Sequence, residues 1–137
     1  MQNILPQWKV KMDSKQDFGC TECWQQDATA VTSAFCALKI DTYLIDESHY
    51  IVTIRHCLKC SQKFLSLMTE IVDYVDGDDP QYRTFMPITT DESEKLIQLG
   101  DIITNKHLAS IGIGRRSLHW DYPKGAMVHI YWGTGVS

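Results

Sequence analysis

The sequence has no run of about 18 uninterrupted apolar residues, so no segment of the 137-residue chain suits a membrane-spanning helix. Its first residues, Met1 to Val10, lack a basic n-region and an apolar h-region, and no secretory signal is expected. A soluble, cytoplasmic chain is the expectation. Internal repeats, low-complexity tracts and Ser/Gly-rich linkers are also missing, so residues 1–137 read as a single domain. Catalytic signatures are scarce in the same way. There is no HExxH and no nucleophile elbow, and the glycine-containing stretch Gly112-Ile113-Gly114-Arg115-Arg116-Ser117 lacks the Gly-Lys-Ser/Thr of a P-loop.

Positive charge is in deficit: 13 Lys/Arg stand against 17 Asp/Glu. Residues 1–60 are near neutral, with six cations and seven anions. Residues 61–104 hold three cations and nine anions, a net of −6, whereas residues 105–137 hold four and one, a net of +3. An acidic middle repels a phosphate backbone, and the basic tail is sparse for a nucleic-acid footprint.

What is present reads as several strands with one or two short helices, grouped rather than alternating, hence α+β with antiparallel strands. Trp8 to Met12 alternates apolar and charged residues, a strand pattern. Residues 28–40 are rich in Ala, Thr and Val and fit either state, with strand slightly preferred, and Lys39 to Asp46 is read as a turn region. Tyr50 to His56 is a strand by its β-branched content. Residues 64–75 also fit a helix, but a strand is preferred because it would leave a cysteine turn antiparallel to the strand entering it. Asp76-Gly77-Asp78-Asp79-Pro80 is a turn, and Thr84 to Ile88 a short extended piece. Thr89 and Glu92 form a capping box for a helix ending at Gly100. A second short helix is predicted within Asp101–Ile111, and a strand over Met127–Trp132.

Four of the five cysteines form two CxxC pairs, Cys20/Cys23 and Cys57/Cys60. A tight turn of this spacing presents both sulfurs to one ion, and two such turns close a tetrahedron around Zn²⁺ with no position left for water. The site would then be structural. The pairs are separated by 33 residues, 24–56, against a usual ~15–20, so the spacer must hold a hairpin or extra strands. A redox dithiol, an iron site of rubredoxin type and chance spacing are the competing readings. A redox pair normally sits at a helix N-terminus, whereas Cys57 follows a β-like run. Cys36, alone in an apolar stretch, is expected to be a buried core thiol.

On these four cysteines the chain resembles zinc-ribbon proteins, over roughly residues 18–66. Ribbon turns commonly carry Gly directly after the second cysteine, where this chain has Trp24 and Ser61. The resemblance implies paired hairpin turns sharing one zinc and implies no activity.

The remaining constellations are less specific. Asp73, Asp76, Asp78 and Asp79 do not follow the EF-hand pattern and read first as a solvated turn, then as a docking surface for a basic partner. Arg115, Arg116 and Lys124, with His119, Trp120 and Tyr122 among them, could contact an anion or a single-stranded nucleic acid. Five lone histidines carry no triad geometry in sequence. His56 adjoins Cys57, but neighbours on a strand face opposite ways, so joint ligation is not expected. Trp8, Trp24, Trp120 and Trp132 are core or partner-anchor candidates.

The expectation is a non-enzymatic, zinc-stabilised protein-binding module. Its specific form would be an immunity or inhibitor protein whose carboxylates within residues 70–79 neutralise a basic toxin such as a nuclease. A nucleic-acid or transcription-associated zinc-ribbon protein is the alternative.

Overall fold

Six strands pair in the order in which the chain makes them. The computed structural model describes residues 18–72, 74–77, 79–123, 125 and 127–136. The predicted strand at Trp8–Met12 lies outside these residues, as do Asp73, Asp78 and Lys124. The strands are β1 (Lys39–Glu47), β2 (Tyr50–His56), β3 (Lys63–Glu70), β4 (Gln81–Ile88), β5 (Arg116–Tyr122) and β6 (His129–Thr134). All five pairings are antiparallel, giving one sheet in sequence order. A 3₁₀ turn (Thr29–Val31) and α1 (Thr32–Cys36) precede the sheet. Helix α2 (Thr90–Leu99), a second 3₁₀ turn (Gly100–Ile102) and α3 (Asn105–Ser110) connect β4 to β5. Among the described residues no helix is long and apolar enough to cross a membrane.

Both faces of the sheet are covered over part of their area, and alternation along the strands sorts side chains between them. Val52, Ile54, Leu65, Leu67, Met86 and Ile88 face one way and pack under Leu96, Ile103 and Leu108 of the β4–β5 connection. Phe64, Phe85 and Leu118 face the other way and meet Cys23, Val31, Phe35, Leu38 and Cys57. Strand β3 serves both cores, Phe64 on one face and Leu65 on the other, each fully buried. That is why its sequence runs nearly unbroken in apolar residues and fits helix and strand periods alike. Truncating either residue to Ala would cost about 2–5 kcal/mol.

Helix α2 begins as read from sequence. The Thr89 side chain accepts the Glu92 N–H at 3.1 Å, and Glu92 accepts the Thr89 N–H at 2.9 Å. Helix α3 repeats the device with Thr104 and His107.

Three expectations are corrected. Of residues 28–40 only Lys39 and Ile40 are in a strand: Asp27 Oδ1 accepts both the Thr29 N–H and hydroxyl, starting a helical turn that runs to Cys36. Val31, Phe35 and Leu38 then recur at spacings of four and three and are buried. Lys39–Asp46 is not a turn but most of β1. Its register slips between Ile40 and Thr42 and again between Tyr43 and Ile45, so the period-two pattern is broken twice. Cys36 is exposed, not core, because its neighbour Phe35 occupies the inward position.

Candidate metal centre

The second cysteine turn caps the β2–β3 hairpin. Strand β2 ends at His56, and Cys57 follows as the chain reverses. The Cys57 N–H donates to Gln62 O at 2.9 Å and the Ser61 N–H to Cys57 O at 2.8 Å, closing the turn. Ser61 adopts φ 68°, the left-handed conformation that glycine would accept at no steric cost. Ser61, directly after Cys60, is where the sequence has no glycine, yet the backbone there is left-handed.

The first turn has the same local logic but a different setting. The Cys23 and Trp24 N–H groups both donate to Cys20 O, at 3.2 and 2.8 Å, and the Cys20 N–H donates to Cys23 Sγ at 3.3 Å. Gly19 sits at φ +67°, where an added Cβ would fall 2.7 Å from Cys23 Sγ and 2.9 Å from Trp24 Cβ. Beyond Trp24 the chain runs into the 3₁₀ turn and α1 rather than into a strand. Thus only one of the two cysteine turns lies on a hairpin among the described residues.

The four sulfurs lie within 4.8 Å of one another. Three separations are 3.8 Å (Cys20–Cys23), 4.0 Å (Cys20–Cys57) and 3.8 Å (Cys23–Cys60). A tetrahedral ion with metal–sulfur bonds of about 2.3 Å requires sulfur–sulfur edges of roughly 3.8 Å, which these three separations match. Cys23 and Cys57 are buried, while Cys20 and Cys60 keep some exposure. Burial opposes ionisation of Cys20, but hydrogen bonds from the backbone at Cys23 and Glu22 and contact with neighbouring thiols outweigh it, holding the group down to about 7. Burial pushes the Cys23 and Cys60 thiols up. Cys20 thus ionises more readily than Cys23 or Cys60, and a bound cation would displace protons from the thiols it ligates.

Contacts around the cluster fasten it to the middle strands and to one edge of the sheet. Gln62 Oε1 accepts the Gly19 N–H at 3.0 Å, and Gln62 Nε2 donates to Lys63 O and Ile88 O, each at 2.9 Å. The Arg116 guanidinium lies over Trp24 (4.2 Å) and Trp132 (3.9 Å), while Trp132 Nε1 donates to Gln26 O at 2.7 Å. These cation–π contacts join the first turn to β5 and β6.

His56 takes no part in the cluster. Its Nδ1 lies 2.7 Å from Asp41 Oδ1, and Lys63 Nζ lies 3.3 Å from Asp41 Oδ2. Arg115 donates to Glu92 through both terminal nitrogens, at 2.7 and 3.1 Å, and to Pro87 O at 3.0 Å. The two arginines read from sequence as anion contacts thus hold the fold together instead. Asp76 is exposed and Asp79 half-buried in the β3–β4 connection, at the end of the sheet opposite the cysteines.

A serine–histidine pair that the sequence reading did not single out lies on β5. Ser117 is fully buried, and its hydroxyl donates to Gly135 O at 2.6 Å. His119 Nε2, 3.0 Å away, is left to donate to that hydroxyl, so Ser117 has no base to activate it. His119 stacks on Tyr131 and covers Gly133, where a Cβ would fall 2.6 Å from the ring. Burial lowers the His119 pKa, and the ring is neutral at pH 7. The alternation of Arg116, Leu118 and Trp120 against Ser117, His119 and Asp121 was the available signal for this strand.

Compared with family models, with curated proteins and with solved structures, the chain matches none.

Proposed function

We propose that the chain is a non-enzymatic protein-binding module held together by a structural Zn²⁺ on Cys20, Cys23, Cys57 and Cys60. Four cysteine sulfurs gathered around one point suit zinc, which has no ligand-field preference and would be left with a closed shell and no site for substrate. The same donor set would take iron, and the colour and elemental content of the purified protein distinguish the two.

The observation that carries the binding role is the composition of the turn end of the sheet, remote from the cysteines. Tyr74 and Val75 in the β3–β4 connection are 92% and 90% exposed, and Met127 before β6 is 88% exposed. Asp76 and Asp79 share the first of these connections, and Asp46 and Glu47 close β1 at the same end. Apolar side chains raised into solvent among carboxylates supply anchors for a partner's core contacts and a field that steers a basic surface toward them. An immunity or inhibitor protein that neutralises a basic toxin, such as a nuclease, is the specific form of this reading. Arg115 and Arg116 are committed within the chain, which weighs against the nucleic-acid alternative.

The test places a photo-crosslinking residue at Tyr74 in living cells, with Glu94 on α2 as the comparison site. Capture of a basic protein from Tyr74 alone, lost on Asp76→Lys/Asp79→Lys, is the expected result. Equal capture from Glu94, or none from Tyr74, would overturn the assignment of this end.

A further inference from the structure

The sheet face that carries α1 is covered over only part of its length. Beyond Phe35 lies an open groove of about 320 Å³, floored by Ile51, Ser66, Met68 and Phe85 and bordered by Cys36. Two cations line it, Arg55 on β2 and Arg83 on β4. In register, Arg55 stands opposite Phe64 and Arg83 opposite Met68, which puts both on this face with β3 between them.

Their electrostatic setting is unfavourable as it stands. Neither guanidinium makes an ion pair among the described residues. Arg55 donates through Nε to Thr53 Oγ1 at 2.9 Å, a neutral acceptor. Burial and the nearby charge of Arg83 both work against its ionised form. Glu70, one step further along the same face of β3, is engaged by His49 at 3.2 Å and by Gln81 at 3.2 Å. Two half-buried like charges thus share a groove with no carboxylate among its lining residues.

A second observation points the same way. Among the described residues, two buried side-chain nitrogen or oxygen atoms have no hydrogen-bond partner, Arg83 Nε and Trp120 Nε1. Both are donors; Arg83 lines the groove, and Trp120 is its register partner on the neighbouring strand β5. Buried donors without acceptors are rare in native proteins and call for a missing acceptor.

We propose that this groove is a binding site for a small organic oxyanion, with the anionic group on Arg55 and Arg83 and an apolar body against Phe35, Met68 and Phe85. Guanidinium forks match the planar or tetrahedral oxygens of carboxylates and phosphates, and a desolvated pair of them favours an anion over water. The site lies on the sheet face, next to the turn end through the Asp46–Ile51 pairing, and does not depend on the exposed turns having a partner.

The experiment titrates the full metal-loaded protein with phenyl phosphate, benzoate and inorganic phosphate. It follows the Arg Nε–H and Trp120 indole N–H resonances and the melting temperature. Phenyl phosphate or benzoate should shift the Arg55, Arg83 and Trp120 signals and raise Tm by on the order of 5 °C at tenfold excess over its dissociation constant. Inorganic phosphate should bind more weakly, because it leaves the apolar floor bare. Arg83→Met should abolish the shifts and, by removing the repulsion, melt no lower than the parent without ligand. Signals unmoved at tens of millimolar of both organic anions, or moved equally in Arg83→Met, would overturn the site. A marked loss of Tm in Arg83→Met without ligand would also overturn it, showing that the pair is structural.

Discussion

The Gln62 side chain accepts the Gly19 backbone N–H at 3.0 Å, so one amide next to the second cysteine turn holds the first turn in place. Its other end donates to two strand carbonyls, Lys63 O and Ile88 O. Outer contacts of this kind orient ligand-bearing loops and tune metal retention. Gln62→Leu keeps the volume and removes all three hydrogen bonds. Metal affinity should fall about 10–100-fold while all four thiols remain. Competition against a chromophoric chelator measures it.

Loss of a sulfur should be far more severe. A structural zinc contributes on the order of 10 kcal/mol at neutral pH, because the site does not exist in the unfolded chain. Cys60→Ser, like chelation of the parent, should therefore unfold or aggregate the protein. Metal content by mass spectrometry and a thermal melt read this together. A soluble Cys60→Ser protein with an unchanged melt would mean that the cluster is peripheral.

The two turns make opposite predictions for glycine. Gly19→Ala forces a Cβ against Cys23 Sγ and Trp24 Cβ in a left-handed conformation, and should lower both metal affinity and stability. Ser61→Gly relieves a left-handed serine at φ 68°. The relief of about 1–2 kcal/mol is offset by roughly 0.5–1 kcal/mol of unfolded-state entropy, so a gain of about 0.5 kcal/mol is expected. Chemical denaturation of the metal-loaded variants gives both signs in one experiment.

Much of this centre was legible in the sequence because it rests on local spacing. Both CxxC turns, the Thr89/Glu92 box and the strand at Tyr50–His56 are short-range patterns, and each appears where it was read. The parts that were not legible have identifiable causes. Strand β1 hid behind its two register slips, and α1 behind β-branched residues whose strand preference is overridden by Asp27 and by burial of Val31, Phe35 and Leu38. The roles of Arg115 and Arg116 depend on Glu92, Trp24 and Trp132, partners far apart in sequence that only the fold brings to them.

Acid should expose the Glu92–Arg115 pair. Burial raises the Glu92 pKa, but hydrogen bonds from Arg115 and the Thr89 N–H outweigh it and hold the carboxyl below its ordinary range. A carboxyl depressed in the folded state binds protons more readily when unfolded. Its contribution is complete above the unfolded pKa and is lost as pH falls through the folded one. At pH 7, Glu92→Gln should cost about 2 kcal/mol, from a weakened cap and an unpaired, half-buried arginine. The difference between parent and variant should shrink steadily as acid is added. Asp41, also held low despite its burial by His56 and Lys63, titrates in both proteins and cancels. Urea melts between neutral and acid pH follow the difference, and a constant gap would show that the pair contributes nothing.

The sequence-ordered sheet also dictates a timetable. Strands β2 and β3 are neighbours in the chain, so their hairpin can close early and present Cys57 and Cys60 before any distant contact exists. Cys20 and Cys23 must arrive across the spacer that holds α1 and β1, a slower search with a larger loop-closure cost. The ion would thus be met first by a half-built site and trapped when the first turn docks. Metal capture would then complete a sheet too weak to persist without it, and unloading would begin by releasing the first cysteine turn.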